Sequence, residues 1–325
     1  MRKIFKYYQR EFTVFIALAI IVAVFSIINP MYITISNVGD IVDQAVIYGL
    51  MGIGMTFVII TGGIDLSVGA ILALVAVVAA TLSSGGMNVF AVAIISLILS
   101  AALGAVNGFL VSKMKLQAFI ATMGSMSIFR GIAYLFTGGF PVTGVNKGFR
   151  SLFYGKVFLS FRSSIVILIV LAIVAHFILK YTRFGSYVYA IGGNAEASRL
   201  SGVKVDRNLI KSYIMCGVCT GLAALVLITK LASGEPTAGQ GYELDAIAAA
   251  CIGGASMAGG RGTILGTFLG ALLFSALKVG MVTSGVDTFW QYVATGVVII
   301  IAAYIEILQS KLAGSSKTSR LLKAR

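Results

Sequence analysis

Charge is what this sequence has least of. Of its 325 residues 11% are charged and 58% hydrophobic, against roughly 25% charged in an ordinary soluble domain, so a conventional soluble globule is excluded. Motifs for chemistry are equally scarce. The single histidine, His176, stands in an apolar stretch, where a satisfied or interfacial side chain explains it better than a metal ligand or proton relay. Cys216 and Cys219 form a C-x-x-C pair, but no second ligand pair or partner histidine is near them, so they read as small helix residues. There is no G-x-x-x-x-G-K-[ST] phosphate loop; the nearest run, Gly254 to Arg261, lacks the closing Lys-Ser/Thr. No nucleophile–base pair, metal cluster or cofactor motif supports a membrane-embedded enzyme. The basic start, with Arg2, Lys3, Lys6 and Arg10, precedes an uncharged stretch without an A-x-A cleavage site, which reads as a retained first helix and not a secretory signal.

What is present is a succession of apolar runs about 20 residues long, the length needed to cross a bilayer as a helix. Spans are expected near 12–29, 45–63, 69–85, 89–112, 117–139, 164–180, 212–231, 246–260, 262–283 and 288–308, the eighth short enough to be re-entrant. The expected fold is therefore an all-α integral membrane protein, one transmembrane domain over 1–325 with about ten helices, some broken or re-entrant. Eight crossings plus re-entrant segments is the other count. The length leaves no room for a separate soluble catalytic domain.

A net charge of +14 would suggest nucleic acid in a soluble protein, but in a membrane protein the position of each charge matters more. With the N-terminus in the cytoplasm, 18 of the 25 Lys and Arg fall inside: the N-terminal arm, Lys113 and Lys115, the 180–211 loop, Arg261 and the 311–325 tail. Lys147, Arg150, Lys156 and Arg162 fall outside, and Arg130, Lys230 and Lys278 within spans. Both termini are then cytoplasmic. Asp40, Asp43, Glu235, Glu243, Asp245 and Asp287 are assigned to outer segments. Gly62, Gly63, Gly69 and Leu72 echo Gly259, Gly260, Gly266 and Leu269 at an offset of 197 residues, a hint of duplication that a glycine-rich chain could also produce by chance.

Two segments stand out locally. Thr61 to Gly69 interrupts an apolar region with glycines and with Asp65 and Ser67, both able to cap a new helix. It is either a broken helix facing the bundle interior or a tight cytoplasmic turn. In the 181–211 loop, Asn194 is a good N-cap for a short helix over Ala195–Leu200, ended by Ser201-Gly202. So short a helix needs a docking partner, within this chain or outside it. Gly262, Gly266 and Gly270 align small residues for close helix packing, against this chain or another.

Three strings occur in order: Gly62-Gly63-Ile64-Asp65-Leu66-Ser67-Val68-Gly69, then Gly192-Gly193-Asn194 with Arg199-Leu200-Ser201-Gly202-Val203, then Glu235-Pro236-Thr237-Ala238-Gly239 with Gly241-Tyr242-Glu243-Leu244-Asp245. Together they resemble the membrane permease of bacterial ATP-binding-cassette importers for monosaccharides, the ribose permease family, over residues 10 to 310. The resemblance implies a subunit in the bacterial cytoplasmic membrane that pairs with a second permease copy or homologue. Its other partners would be cytoplasmic ATPase subunits, which hold the ATP and Mg, and an external sugar-binding protein. It implies no cofactor, metal or catalytic residue on this chain. The 192–203 string would supply a coupling helix, with ATPase contacts at Gly193, Asn194, Glu196, Ala197, Arg199, Leu200 and Gly202. An uncharged sugar needs polar groups and aromatic faces; candidates for its path are Asp65, Ser67, Gln117, Arg130, Tyr242, Glu243 and Asp245. An ion-coupled sugar transporter is the competing class, and it leaves the cytoplasmic helix idle.

Overall fold

The computed structural model describes residues 9–158, 161–287 and 289–304. The 311–325 tail, the basic residues before Gln9 and the end of the last expected span lie outside them. The chain is an all-α integral membrane protein. In order the helices are α1 Gln9–Ile28, α2 Ile35–Ile60, α3 Val68–Ser84, α4 Val89–Ser112, α5 Ala118–Thr137 and α6 Lys147–Tyr154. After these come α7 Ser163–Tyr181, α8 Arg183–Gly193, α9 Ala195–Leu200, α10 Val205–Leu231, α11 Tyr242–Ile252, α12 Ile264–Thr283 and α13 Trp290–Tyr304. Among the described residues, seven helices are long and apolar enough to cross a membrane, and α3 and α13 are shorter apolar helices. The strands are two- or three-residue pairings: β1 Val142–Thr143 runs antiparallel to β4 Ser233–Gly234, and β2 Lys156–Phe158 to β3 Phe161–Arg162.

The centre of the bundle is α2, whose residues from Ala45 to Ile60 are all buried. Three of its glycines each admit a different neighbour. A Cβ on Gly49 would lie 2.9 Å from Leu168 of α7, and one on Gly52 3.1 Å from Thr267 of α12. One on Gly54 would lie 2.8 Å from Cys219 Cβ of α10. The C-x-x-C pair is thus helix-packing surface: both thiols are buried and free, and no metal-binding cluster exists among the described residues. Close approach replaces hydrophobic drive in lipid, where dispersion between well-packed helices carries the association. At the same contact Thr56 and Thr267 share a 2.6 Å hydrogen bond.

Helix directions follow from paired ends. Lys113 and Lys115 beyond α4 reach Asp206 at the start of α10, and Arg199 of α9 lies 3.6 Å from the same carboxylate. Gly260 N–H donates to Ile60 O (2.8 Å) where α2 ends. Thr263 Oγ1 donates to Glu11 of α1 (2.8 Å), and Asn29 Nδ2 donates to Thr283 O (2.6 Å), so α1 and α12 run parallel. One end of the bundle therefore gathers α8, α9 and the basic loop, and is called the α9 end below. The opposite end carries α6 and the strands.

Two helices begin earlier than expected: α2 at Ile35, not 45, and α10 at Val205, not 212. Their first turns are polar, so hydropathy alone starts the span late. Asp40 and Asp43 consequently sit in α2, and Glu243 and Asp245 in α11, not in outer loops. The expected 246–260 span is instead an eleven-residue helix ending at Ile252, about 16 Å long at 1.5 Å per residue, too short to cross a bilayer alone. The rest of that traverse is a strip of consecutive turns. From β4 at the opposite end, residues 234–241 run along α3: Gly234 packs on Ala76 and Ala80, and Gly239 on Gly69 and Leu72. Gly239 and Gly241, at φ +71° and +82°, turn this strip into α11 through a left-handed conformation that a β-carbon disfavours.

Gly266 and Gly270 face the backbone of α11, where a Cβ on either would collide with the carbonyls of Gly253 or Ala249. Their partner helix belongs to this chain. Gly262 is not part of that helix: it precedes α12, and its carbonyl accepts from Tyr189 Oη of α8 (2.7 Å).

Candidate functional site

The described structure places a polar cavity of about 500 Å³ between α2, α10 and the start of α11, within the range of small-ligand sites. Gln44 and Tyr48 line it from α2, Lys230 from α10, Thr237 and Gln240 from the 234–241 strip, and Tyr242 from the first turn of α11. Glu235 and Tyr292 complete the polar wall, with Ile47 and Leu227 as apolar faces. Tyr48 and Tyr242 meet edge to face at 5.5 Å between centroids, giving a fixed aromatic corner. Gln44 Oε1 is buried and has no hydrogen-bond partner among the described residues.

Two side chains hold the strip that forms this wall. Arg130 of α5 donates through Nη1 to Pro236 O (2.7 Å) and Ala238 O (2.6 Å). It binds backbone carbonyls, not an acid. Irregular backbone at membrane depth is tolerated only where its polar groups are satisfied, and Arg130 satisfies two of them. Ser233 Oγ donates to Glu235 (3.2 Å) at the top of the strip.

Beneath the aromatic corner lies a buried ion pair. Lys278 Nζ of α12 is 2.7 Å from Asp245 Oδ2 of α11, with the residues 7% and 3% exposed. Lys278 also donates to Tyr48 Oη (3.4 Å) and stands about 5 Å from the ring centroids of Tyr48 (5.0 Å) and Phe274 (4.9 Å). Thr295 of α13 donates to the other carboxylate oxygen at 3.5 Å. Asp245 is therefore a strut joining α11, α12 and α13, not a group at an outer mouth.

Asp65 and Ser67 are fully buried, which decides between their two readings in favour of the bundle interior. Asp65 Oδ1 accepts from Ser67 N–H (2.9 Å) and Ser67 Oγ (2.7 Å), and Asn107 Nδ2 of α4 donates to Ser67 Oγ (2.6 Å) and to the carboxylate (3.3 and 3.4 Å). Tyr213 Oη and Thr122 Oγ1 reach Ile64 O at 3.3 and 3.4 Å. Side chains from α4, α5 and α10 thus replace the bonds lost at the break between α2 and α3. Glu243 sits close to this region, against Gly69. Gln117 lies elsewhere: exposed, it precedes α5 at the α9 end without a capping bond, away from the cavity.

At the α9 end the short helix has the expected bounds, Ala195–Leu200. Asn194 Oδ1 accepts from Ala197 N–H (2.9 Å), and Gly202 adopts φ +84° beyond its C-terminus. Gly193, Asn194, Glu196, Ala197, Arg199 and Gly202 are exposed, and Leu200 is 83% exposed. The loop holds a second helix, α8, that the apolar pattern did not mark. Its Phe184 stacks on Phe57 of α2 (6.0 Å), and Gly192 fits against Ile60 O and Gly260 N. So α9 is an exposed knob on a helix pinned to the base of the bundle.

At the opposite end Tyr154 of α6 donates to Asp43 Oδ2; burial and then this carboxylate hold the phenol above its usual pKa, so it stays protonated and donates. Seven polar cavity residues escape the sequence reading: Gln44, Tyr48, Lys230, Glu235, Thr237, Gln240 and Tyr292. Asn107 escaped it too. A signal existed for some of them. Gln44 and Tyr48 are four apart on one helical face, and Glu235, Thr237 and Gln240 fall within the third motif or beside it.

A multi-pass bundle with a polar cavity beside a half-length helix is the architecture of a membrane permease. The chain belongs to the family of branched-chain amino acid transport system permease components, which it matches over residues 37–303. It is 41% identical over 298 residues to the ribose import permease protein of Escherichia coli (strain K12), covering 90% of this chain and 92% of that protein. It is 41% identical over 293 residues to the ribose import permease protein of Bacillus subtilis (strain 168), covering 90% and 91%. With the D-allose transport system permease protein of Escherichia coli (strain K12) it shares 37% identity over 309 residues, 94% of each chain. No solved structure matches.

Proposed function

We propose that this chain is the permease subunit of an ATP-driven importer that carries a monosaccharide, ribose or a closely related sugar, into the bacterial cytoplasm. The observation that carries the reading is the 41% identity to ribose import permeases along nine-tenths of the chain. The cavity fits such a cargo chemically: amide, phenol and hydroxyl groups with an aromatic corner suit a polyol, and modest, open contacts suit release. Specificity between sugars is assigned to an external binding protein that delivers at the end bearing α6.

The α9 end faces the cytoplasm in this reading, as do both termini, in keeping with its basic residues. A separate ATPase subunit, holding ATP and Mg, would grip α9, and a second permease copy or homologue would complete the pore. Closure of the ATPases would displace α9 and, through α8, the turn at Gly259–Gly262 between α11 and α12. Because α11 frames the cavity, that displacement would open or close it, a rigid-element relay of the hinge and shear kind.

The test is sugar uptake in proteoliposomes with this chain, its ATPase and its binding protein. Uptake that needs ATP and the binding protein supports the proposal. Uptake driven by an ion gradient without ATP would sink it.

A further inference from the structure

A second cavity, about 370 Å³, lies at the α9 end between α1, α13 and the turn that follows α11. The reason for the gap lies in the residues. The α4–α10 contact is closed by Gly104, Gly108, Gly217 and Gly221, on which added Cβ atoms would strike the facing backbone or Ser100. Facing residues of α1 and α13 are Val14, Ala17, Ile21, Val298 and Ile301. No glycine lines this gap from either helix, and Gly296 of α13 has open space around it.

The lining is ordered along its length. Val14, Ala17, Ile21, Val298 and Ile301 make its helix walls apolar, whereas the polar members, Thr13 in the first turns of α1 and Ser256 and Arg261 in the turn after α11, lie at the α9 end. Arg261 is exposed, and among the described residues no carboxylate lies within 4 Å of its guanidinium. The nearby Glu11 is buried and already accepts from Thr263. Beside the cleft α1 and α13 carry Phe15, Ile16, Ile20, Val293, Val297 and Ile300, all exposed apolar residues of the kind a bilayer covers.

We propose that this cleft is a binding site for an anionic phospholipid, one acyl chain lying between α1 and α13 and the phosphate on Arg261. An apolar cleft with a guanidinium that meets no carboxylate among the described residues at its α9 end has the polarity profile of a phospholipid, and charge complementarity selects the anionic kind. Basic pockets between transmembrane helices bind anionic headgroups in this way, with each cation near the surface worth about 1 kcal/mol. The inference rests on the membrane-spanning fold and not on sugar import, so its failure would leave the proposed function standing.

The experiment places a benzophenone side chain at Ala17 in the full-length chain, held in nanodiscs of equal parts phosphatidylglycerol and phosphatidylcholine, and identifies photo-adducts by mass spectrometry. A lipid adduct enriched in phosphatidylglycerol is expected. The enrichment should fall roughly fivefold in Arg261→Gln, the fold-change of about 1 kcal/mol. A probe at Val293, an exposed residue of α13 outside the cleft lining, reports unselective lipid contact and should show no enrichment. Equal adducts with both lipids at Ala17, enrichment untouched by Arg261→Gln, or an adduct to another part of this chain or to a second copy would each overturn the proposal.

Discussion

Removing one member of the Asp245–Lys278 pair should damage the protein far more than removing both. The two groups are 2.7 Å apart and 3% and 7% exposed. An exposed pair would contribute about 0–1 kcal/mol, but breaking a buried one leaves an uncompensated charge that costs about 3–5 kcal/mol. Lys278→Met leaves the Asp245 carboxylate buried without a cation, with the hydroxyl of Thr295 beside it, and should fall in that range. Asp245→Asn strands Lys278, which keeps its place against the rings of Tyr48 and Phe274; cation–π attraction of about 2 kcal/mol in a desolvated site makes this the milder change. The double variant buries no charge, and Met fills much of the lysine stem, so it should lie within about 1 kcal/mol of the parent. The cycle therefore predicts a coupling of at least about 3 kcal/mol, more than a hundredfold in the unfolding constant. Equilibrium unfolding in mixed micelles reads all four proteins. If both single variants stay within about 1 kcal/mol of the parent, or if the double loses the sum of the singles, the strut reasoning is wrong.

Arg130→Ala leaves the Pro236 and Ala238 carbonyls without their donor. Uptake should fall at least tenfold while membrane abundance is retained, and a variant with parental uptake would deny the strip its role. Asn194→Ala removes the cap on α9, a loss of about 1 kcal/mol in a six-residue helix, and should weaken ATPase coupling measured as transport-stimulated hydrolysis. Leu200→Glu, at an 83% exposed side chain, should abolish that coupling without lowering thermal stability. Gly270→Ala drives a methyl into the Ala249 carbonyl and should deplete the folded protein, whereas Gly124→Ala meets open space and should be silent; membrane abundance of the two variants decides.

Local chemistry could be read from the sequence wherever a few adjacent residues settle the outcome. Asn194 followed by an apolar-capable hexamer and Gly202 gives α9 its bounds, because capping bonds span only three or four residues. The spans of α4 and α5 were legible for a related reason: lipid sets their length, and their flanks are polar. Where tertiary contacts decide, the pattern misled. The start of α2 is polar, yet Asp43 is satisfied by Tyr154 from α6, more than a hundred residues away, and the helix extends through it. In sequence the 234–241 strip resembles an outer loop because a polar segment without regular structure normally belongs in water. It enters the bundle only because Arg130 from α5 supplies donors and α3 offers Gly69 to receive it, and neither condition is local. The cavity exists because of that entry. Its walls come from α2, α10 and the strip, so a motif around Tyr242 marks one wall of the cavity and gives no sign of the facing Gln44 and Tyr48. A single stretch of irregular backbone thus makes α11 a half-length helix, leaves Asp245 buried against Lys278, and opens the polar space at the start of α11. A permease with a continuous helix in place of residues 234–252 would have neither the ion pair nor the cavity in these positions.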